Sequence, residues 1–220
     1  MQNIAPPEQP LHTRTRDGKG MLITILLWAF WCLLHSLLIH PTVQNKLYTW
    51  SSKLSPGTYR LCYILFSLIT LAPVVGYTLA QEQTVLFAFS GAWRILQILL
   101  LCYAALMFYL GSQAYDMPFF LGLRQWKDFR DGRAQRAIEF HHSGILRYVR
   151  HPWYSGGIAL VWVTSTLTTV SLPVRMLLTG YFIIGTILEE RRLKKELGQP
   201  YIAYCKQVPM LLPWKLFRIF

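Results

Sequence analysis

The chain is poor in acid: 10 Asp and Glu stand against 22 Lys and Arg in 220 residues, a formal net charge of +12. Charged residues of both signs make up only 15%, while hydrophobic residues reach 53%. That leaves too little polar surface to cover a soluble globule, and it points to a membrane protein. The cysteines Cys32, Cys62, Cys102 and Cys205 show no paired spacing, which argues for buried thiols and against a disulfide or zinc framework. No glycine-rich turn of the dinucleotide-binding kind occurs, so a doubly wound sheet is not expected. The polar, proline-containing stretch 1–20 is not followed by a small-residue cleavage pattern, so the first apolar block reads as an anchor rather than a removable signal. Internal repeats and low-complexity tracts are missing too. No nucleic-acid module accompanies the basic excess, and attraction to anionic lipid head groups accounts for it.

What the chain does have is hydrophobicity in blocks. Met21 to Ile39 carries no formal charge and is long enough as a helix to cross a hydrocarbon core of about 30 Å. Further blocks lie at 61–80, 95–111, 153–170 and 173–188. The expected fold class is therefore all-α and integral to the membrane, with about five transmembrane helices in one domain over 21–220. Only "SLP" separates the last two blocks, so they are expected to form a tight helical hairpin whose second arm is short for a full crossing. Basic residues cluster in Arg124 to Arg150 and in Arg191 to Arg218, which places both segments and the C-terminus on the cytoplasmic face. Counting back puts the N-terminus outside, against the grain of Arg14, Arg16 and Lys19.

Two stretches carry groups that are costly to bury. In "RYVRHPWYSGG", Arg147 to Gly157, Pro152 disfavours helix at His151 and suits the first position of a new one. Arg150, His151 and the positive end of a helix then meet just inside the membrane boundary, where a carboxylate or phosphate is welcome. Gly156 and Gly157 admit a close approach by a ligand or a neighbouring helix. In the second stretch, Glu189 and Glu190 directly continue the apolar "FIIGTIL", where acids cost more than the usual basic stop signal. If both stretches share one face, their union is zwitterionic and suits an amino-acid-like ligand. The alternative is that the cations are interfacial anchors and the glycines only pack helices.

"SGILRYVRHPWYSGG" followed by "LEERRLKKELGQPYIAYCKQVP" resembles the paired signature of the integral-membrane methyltransferases related to isoprenylcysteine carboxyl methyltransferase. Upstream, "LHSLLIHP", "FFLGLRQ" and, near the end, "VPMLLP" are more similar to the methanethiol S-methyltransferase type of that superfamily. The resemblance implies S-adenosylmethionine as cofactor, with Arg150, His151, Tyr154, Glu189 and Glu190 at its site and Gly144 shaping the preceding turn. Tyr154, Tyr201 and Tyr204 are candidate walls for its adenine. It implies methylation of a small or lipophilic acceptor, a thiol first and a prenylcysteine-like carboxylate second, in a bacterial inner membrane. Arg124 is the expected cation for steering an anionic acceptor. His35, in the first span, is a candidate proton acceptor or an interhelical hydrogen-bonding ring. His141 and His142, adjacent in a polar loop, lack the further ligands of a metal site, and no metal or nucleic acid is expected. A non-catalytic membrane subunit or transporter of the same fold is the competing class, but a transporter's broken helices and repeat symmetry are not evident.

Overall fold

A computed structural model describes residues 11–50, 55–133, 142–164 and 166–214, with the backbone alone over 11–17. His141 lies outside the described residues. The architecture is all-α and membrane-integral. Its helices are α1 (Leu11–Ile39), α2 (Pro41–Trp50), α3 (Pro56–Leu79), α4 (Ala92–Ala114), α5 (Met117–Phe120), α6 (Leu123–Arg130), α7 (Pro152–Val163), α8 (Ser171–Leu197) and α9 (Gln199–Gln207). Four stretches, Gly18–Ile39, Pro56–Leu79, Ala92–Ala114 and Ser171–Leu197, are long and apolar enough to cross a membrane.

The helices begin where local chemistry says they should. Ser55 caps α3 by accepting the Thr58 N–H at 3.0 Å, with Pro56 at the first helical position, where its missing N–H costs nothing. Pro152 opens α7 in the same way. The hairpin forms, but α7 ends at Val163 and α8 starts at Ser171, so the turn does not lie at "SLP": Pro173 sits in the first turn of α8. The β-branched threonines around Leu167 favour extended backbone. Strand β2 (Leu167–Thr168) accordingly pairs antiparallel with β1 (Val85–Phe87). Thr168 Oγ1 donates to Gln83 Oε1 at 2.7 Å, and the Thr169 N–H reaches Thr84 O at 3.0 Å. The arms also differ from expectation in length. The first, α7, has 12 residues, whereas α8 has 27 and runs on through "EERRLKKEL", a string of good helix formers.

Polar seams join the apolar faces, as they must where hydrocarbon offers no other partner. Along α1 and α3, Trp28 Nε1 donates to Thr78 Oγ1 at 3.0 Å, Trp31 Nε1 to Thr70 Oγ1 at 3.2 Å, and Tyr59 OH to Leu38 O at 2.5 Å. Short α7, expected as the fourth of five spans, is not among the four that are long enough to cross, and it is the most enclosed of the long apolar segments. Gly156 lies against Ala104 O and Met107 of α4, and Gly157 against the Phe182 ring of α8. Tyr103 OH meets Ser155 Oγ at 2.5 Å, and Gln97 Nε2 donates to Val163 O at 2.8 Å. At the end of the bundle marked by the strands, buried Arg175 holds the end of α7 through Trp162 O at 2.8 Å and Thr166 O at 2.9 Å. The opposite end gathers α2, α5, α6, α9, the start of α7 and the last turns of α8.

Candidate functional site

At that opposite end the two charged stretches meet. Arg150 is buried, and Nε and one terminal nitrogen each stand 2.5 Å from Glu190 Oε1. The other terminal nitrogen donates to Cys205 O at 2.9 Å and to Val208 O. One guanidinium thus fastens the start of α7, the end of α8 and the end of α9. The backbone repeats the bond: Arg150 N–H reaches Pro209 O at 3.0 Å and His151 N–H reaches Met210 O at 3.1 Å. The "VPMLLP" segment is therefore paired with "RHP" as an extended neighbour.

His151 lies beside the same carboxylate, with Nε2 3.3 Å from Glu190 Oε1 and Nδ1 3.9 Å from Glu189 Oε2. Lys194 Nζ is 3.6 Å from Glu190 Oε2. Glu190 is thus fully engaged, while Glu189, hydrogen-bonded to the Tyr154 phenol, still keeps a third of its side chain accessible. The Tyr154 ring stands edge-on to His151 at 5.8 Å and, on its other side, faces Gly185, where an added Cβ would meet the ring at 3.6 Å. Tyr204 OH donates to Leu146 O at 2.5 Å, and its ring lies 5.7 Å from that of Tyr201. Burial, and for Tyr201 next the charge of Glu190, push both phenols above their usual range. Both accordingly stay protonated donors at neutral pH. His142 sets its ring 5.2 Å from Tyr204. Gly144, at φ +58°, opens a short 3-10 helix, Gly144–Arg147, in a conformation that favours glycine.

Seven of the expected site residues therefore converge: Arg150, His151, Tyr154, Glu189, Glu190, Tyr201 and Tyr204. Two others sit apart. Arg124, on α6, forms an ion pair with Asp116 at the exposed rim. His35 is deeper, between α1 and α3, with Nε2 2.6 Å from Tyr63 OH and Nδ1 3.1 Å from Ser67 Oγ. Sequence reasoning missed Tyr115 and Trp153. Tyr115 follows α4, and burial, then the Glu189 carboxylate, push its phenol up. Trp153 stacks edge-on between Tyr115, at 5.1 Å, and Phe120, at 4.8 Å. For Trp153 the signal was its place directly after "RHP"; Tyr115, far from it in sequence, carried none.

A profile of the family described as NnrU protein matches residues 21–212 of this chain. Among curated proteins, methanethiol S-methyltransferase 1 of Bradyrhizobium diazoefficiens is 25% identical across 96% of this chain and 73% of its own length. Methanethiol S-methyltransferase of Crocosphaera subtropica is 26% identical across 96% and 82%, and that of Mycobacterium tuberculosis 25% across 90% and 80%. No solved structure matches.

Proposed function

Because the chain belongs to the NnrU protein family and is similar over most of its length to methanethiol S-methyltransferases, we propose that it is an integral-membrane methyltransferase using S-adenosylmethionine to methylate a small or lipophilic thiol on sulfur. The observation that carries this reading is the junction of Arg150, His151, Glu189 and Glu190 at one end of an apolar bundle, with aromatic rings beside it. An amino-acid group suits the junction: the accessible part of Glu189 can meet an ammonium beside the Tyr154 hydroxyl, and the first turn of α7 offers the complementary positive end. Arg150 and Glu190 answer each other and hold the three helices around that opening. Tyr154 and Tyr115 supply ring walls.

When bound, S-adenosylmethionine supplies a methyl group on a cationic sulfur. The protein's part is to bring the acceptor into line, strip it of water and keep it ionised. Thiols attack as thiolates, so a nearby cation helps by lowering the thiol pKa. His35, with both ring nitrogens taken up by Tyr63 and Ser67, serves to hold α1 on α3. Arg124, paired with Asp116, belongs to the rim through which an anionic acceptor passes.

Calorimetric titration of the purified protein with S-adenosylhomocysteine is expected to show binding, and Glu189→Gln to weaken it about tenfold or more, the loss of a charge-assisted contact of roughly 1.5–3 kcal/mol. Membranes given methyl-labelled S-adenosylmethionine and a panel of thiols and carboxylic acids should yield label that survives mild alkali, since a thioether has no ester bond. Label only in an alkali-labile product would move the protein to carboxyl methylation. Failure of the folded wild type to bind any S-adenosyl ligand would remove the enzyme reading altogether.

The same proposal places the site and C-terminus on the cytoplasmic side of a bacterial inner membrane, from the basic residues gathered there. Ser143 and Glu82 are both exposed, near opposite ends of the bundle. In intact cells an impermeant thiol reagent should label Glu82→Cys and spare Ser143→Cys, in a background lacking the exposed native cysteines. The reverse pattern would invert the orientation.

A further inference from the structure

Most arginines described at the site end already have an anionic partner or carbonyls: Arg150 has Glu190, Arg124 has Asp116, Arg130 has Asp131, and Arg192 has Glu196. Arg147 and Arg191 are exposed to solvent, whereas Arg60, in the first turns of α3, is half-buried. Its Cζ lies 5.1 Å from the centre of the Phe120 ring and 6.0 Å from that of Phe119. Among the described residues it has neither a carboxylate nor a hydrogen-bond acceptor. The titratable groups whose fields reach it are Tyr48 of α2, Tyr63 of α3 and the like charge of Arg192 from α8. A half-buried guanidinium between aromatic faces, beside another cation, lacks the anion that would offset its lost hydration.

Its position links it to the site by two routes. Phe120, on which Arg60 rests, stacks against Trp153 of the first turn of α7, one residue from Tyr154 and two from His151. Arg192 follows Glu189 by one turn of α8. Arg60 therefore lies across the Phe120 and Trp153 rings from the Arg150 and Glu190 pair.

We propose that Arg60 holds the ionised sulfur of the acceptor thiol. This rests on the S-methylation reading above. The thiol releases its S–H proton to water at the open rim. Its sulfur lone pair then forms the new bond to the methyl carbon as the bond from that carbon to the donor sulfonium breaks, leaving the electron pair on the donor sulfur. Arg60 neither takes a proton nor forms a bond; it stabilises the thiolate.

The test compares two acceptors with the purified full chain: an alkanethiol, almost wholly protonated at neutral pH, and a nitrothiophenol, almost wholly thiolate. Arg60→Gln is expected to lower kcat/KM for the alkanethiol about tenfold or more, since an opposite charge nearby shifts a pKa by about 1–3 units. For the nitrothiophenol the loss should be clearly smaller. Raising the pH should restore part of the alkanethiol rate, and Arg60→Lys should retain part of it, since the charge remains while the planar stacking surface is lost. Binding of S-adenosylhomocysteine, measured directly, should stay within about twofold of wild type if Arg60 touches only the acceptor. Equal losses with both thiols, or a parallel loss of S-adenosylhomocysteine binding, would overturn the role of Arg60 and leave S-methylation standing. No thioether from the wild type with either thiol would overturn both.

Discussion

Arg150→Met is expected to cost about 3–5 kcal/mol of stability and to abolish measurable binding of S-adenosylhomocysteine. The guanidinium touches the start of α7, the end of α8 and the end of α9 at once, at 2.5 Å from Glu190 Oε1 and 2.9 Å from Cys205 O. Both partners of the ion pair keep only 8% of their side-chain surface accessible. Removing the cation leaves a buried carboxylate with His151 and Lys194 as partial replacements, at 3.3 and 3.6 Å, and it strips two carbonyls of their donor. The cost comes mostly from the group left behind. The double variant Arg150→Met with Glu190→Leu should therefore recover much of the stability, because an apolar pair of similar volume avoids the stranded charge. It should not recover ligand binding. Thermal unfolding of the four proteins of this cycle in one detergent checks both statements. A loss below about 1 kcal/mol for the single variant would show that the backbone pairing with Pro209 and Met210 holds the junction unaided.

Gly57→Val is expected to part α3 from α6. A Cβ at Gly57 would run into the Trp126 backbone nitrogen and come within 2.5 Å of Gly122 O. Backbone atoms, unlike the tip of a flexible side chain, cannot swing aside, so the helices must separate. Overpacking of this kind costs about 1–3 kcal/mol for a single methyl, and valine should exceed alanine. Because α5 and α6 carry Phe119, Phe120 and Arg124, the shift would also disturb the rings around Arg60. Gly76, further along the same helix, has nothing within 4 Å of an added Cβ. Gly76→Ala is thus the control: it should be neutral or stabilise by about 0.5–1 kcal/mol, the helix cost of glycine. Similar melting temperatures for the two alanine variants would mean that α6 is free to move away from α3.

The membrane class and the junction of Arg150, His151, Glu189 and Glu190 were legible in the sequence, for a physical reason. Long uncharged runs have few alternatives to crossing a bilayer, and charges beside them must find partners. What spacing does not reveal is which partner. Arg150 and Glu190 read as two hands for a ligand, and the structure has them holding each other. Arg60, like Arg124, is a cation near an apolar block, but the sequence does not single it out; only their neighbours, Asp116 for Arg124 and phenyl rings for Arg60, tell them apart. The turn of the last hairpin was misplaced because it is set by pairing with a strand 85 residues upstream, through Thr168 and Gln83. The apolar blocks also carry no mark that α7 ends at Val163 and β2 begins at Leu167. Helices α2 and α6 are too short and too polar to stand out as blocks, and α5, though apolar, has only four residues.

The brevity of α7 bears on how the protein is made. A helix of 12 residues rises about 18 Å, well short of the roughly 30 Å of hydrocarbon that a free segment must cross. During biosynthesis α7 cannot enter the bilayer as an independent unit, as α1, α3 and α4 can. Its place in the bilayer depends on α8 and on the face of α4 where Gly156 fits Ala104 and Met107. Arg150 and Glu190, at the open end of that pair, stand 2.5 Å apart only when both helices are in place, so seating the short helix and closing the junction are coupled.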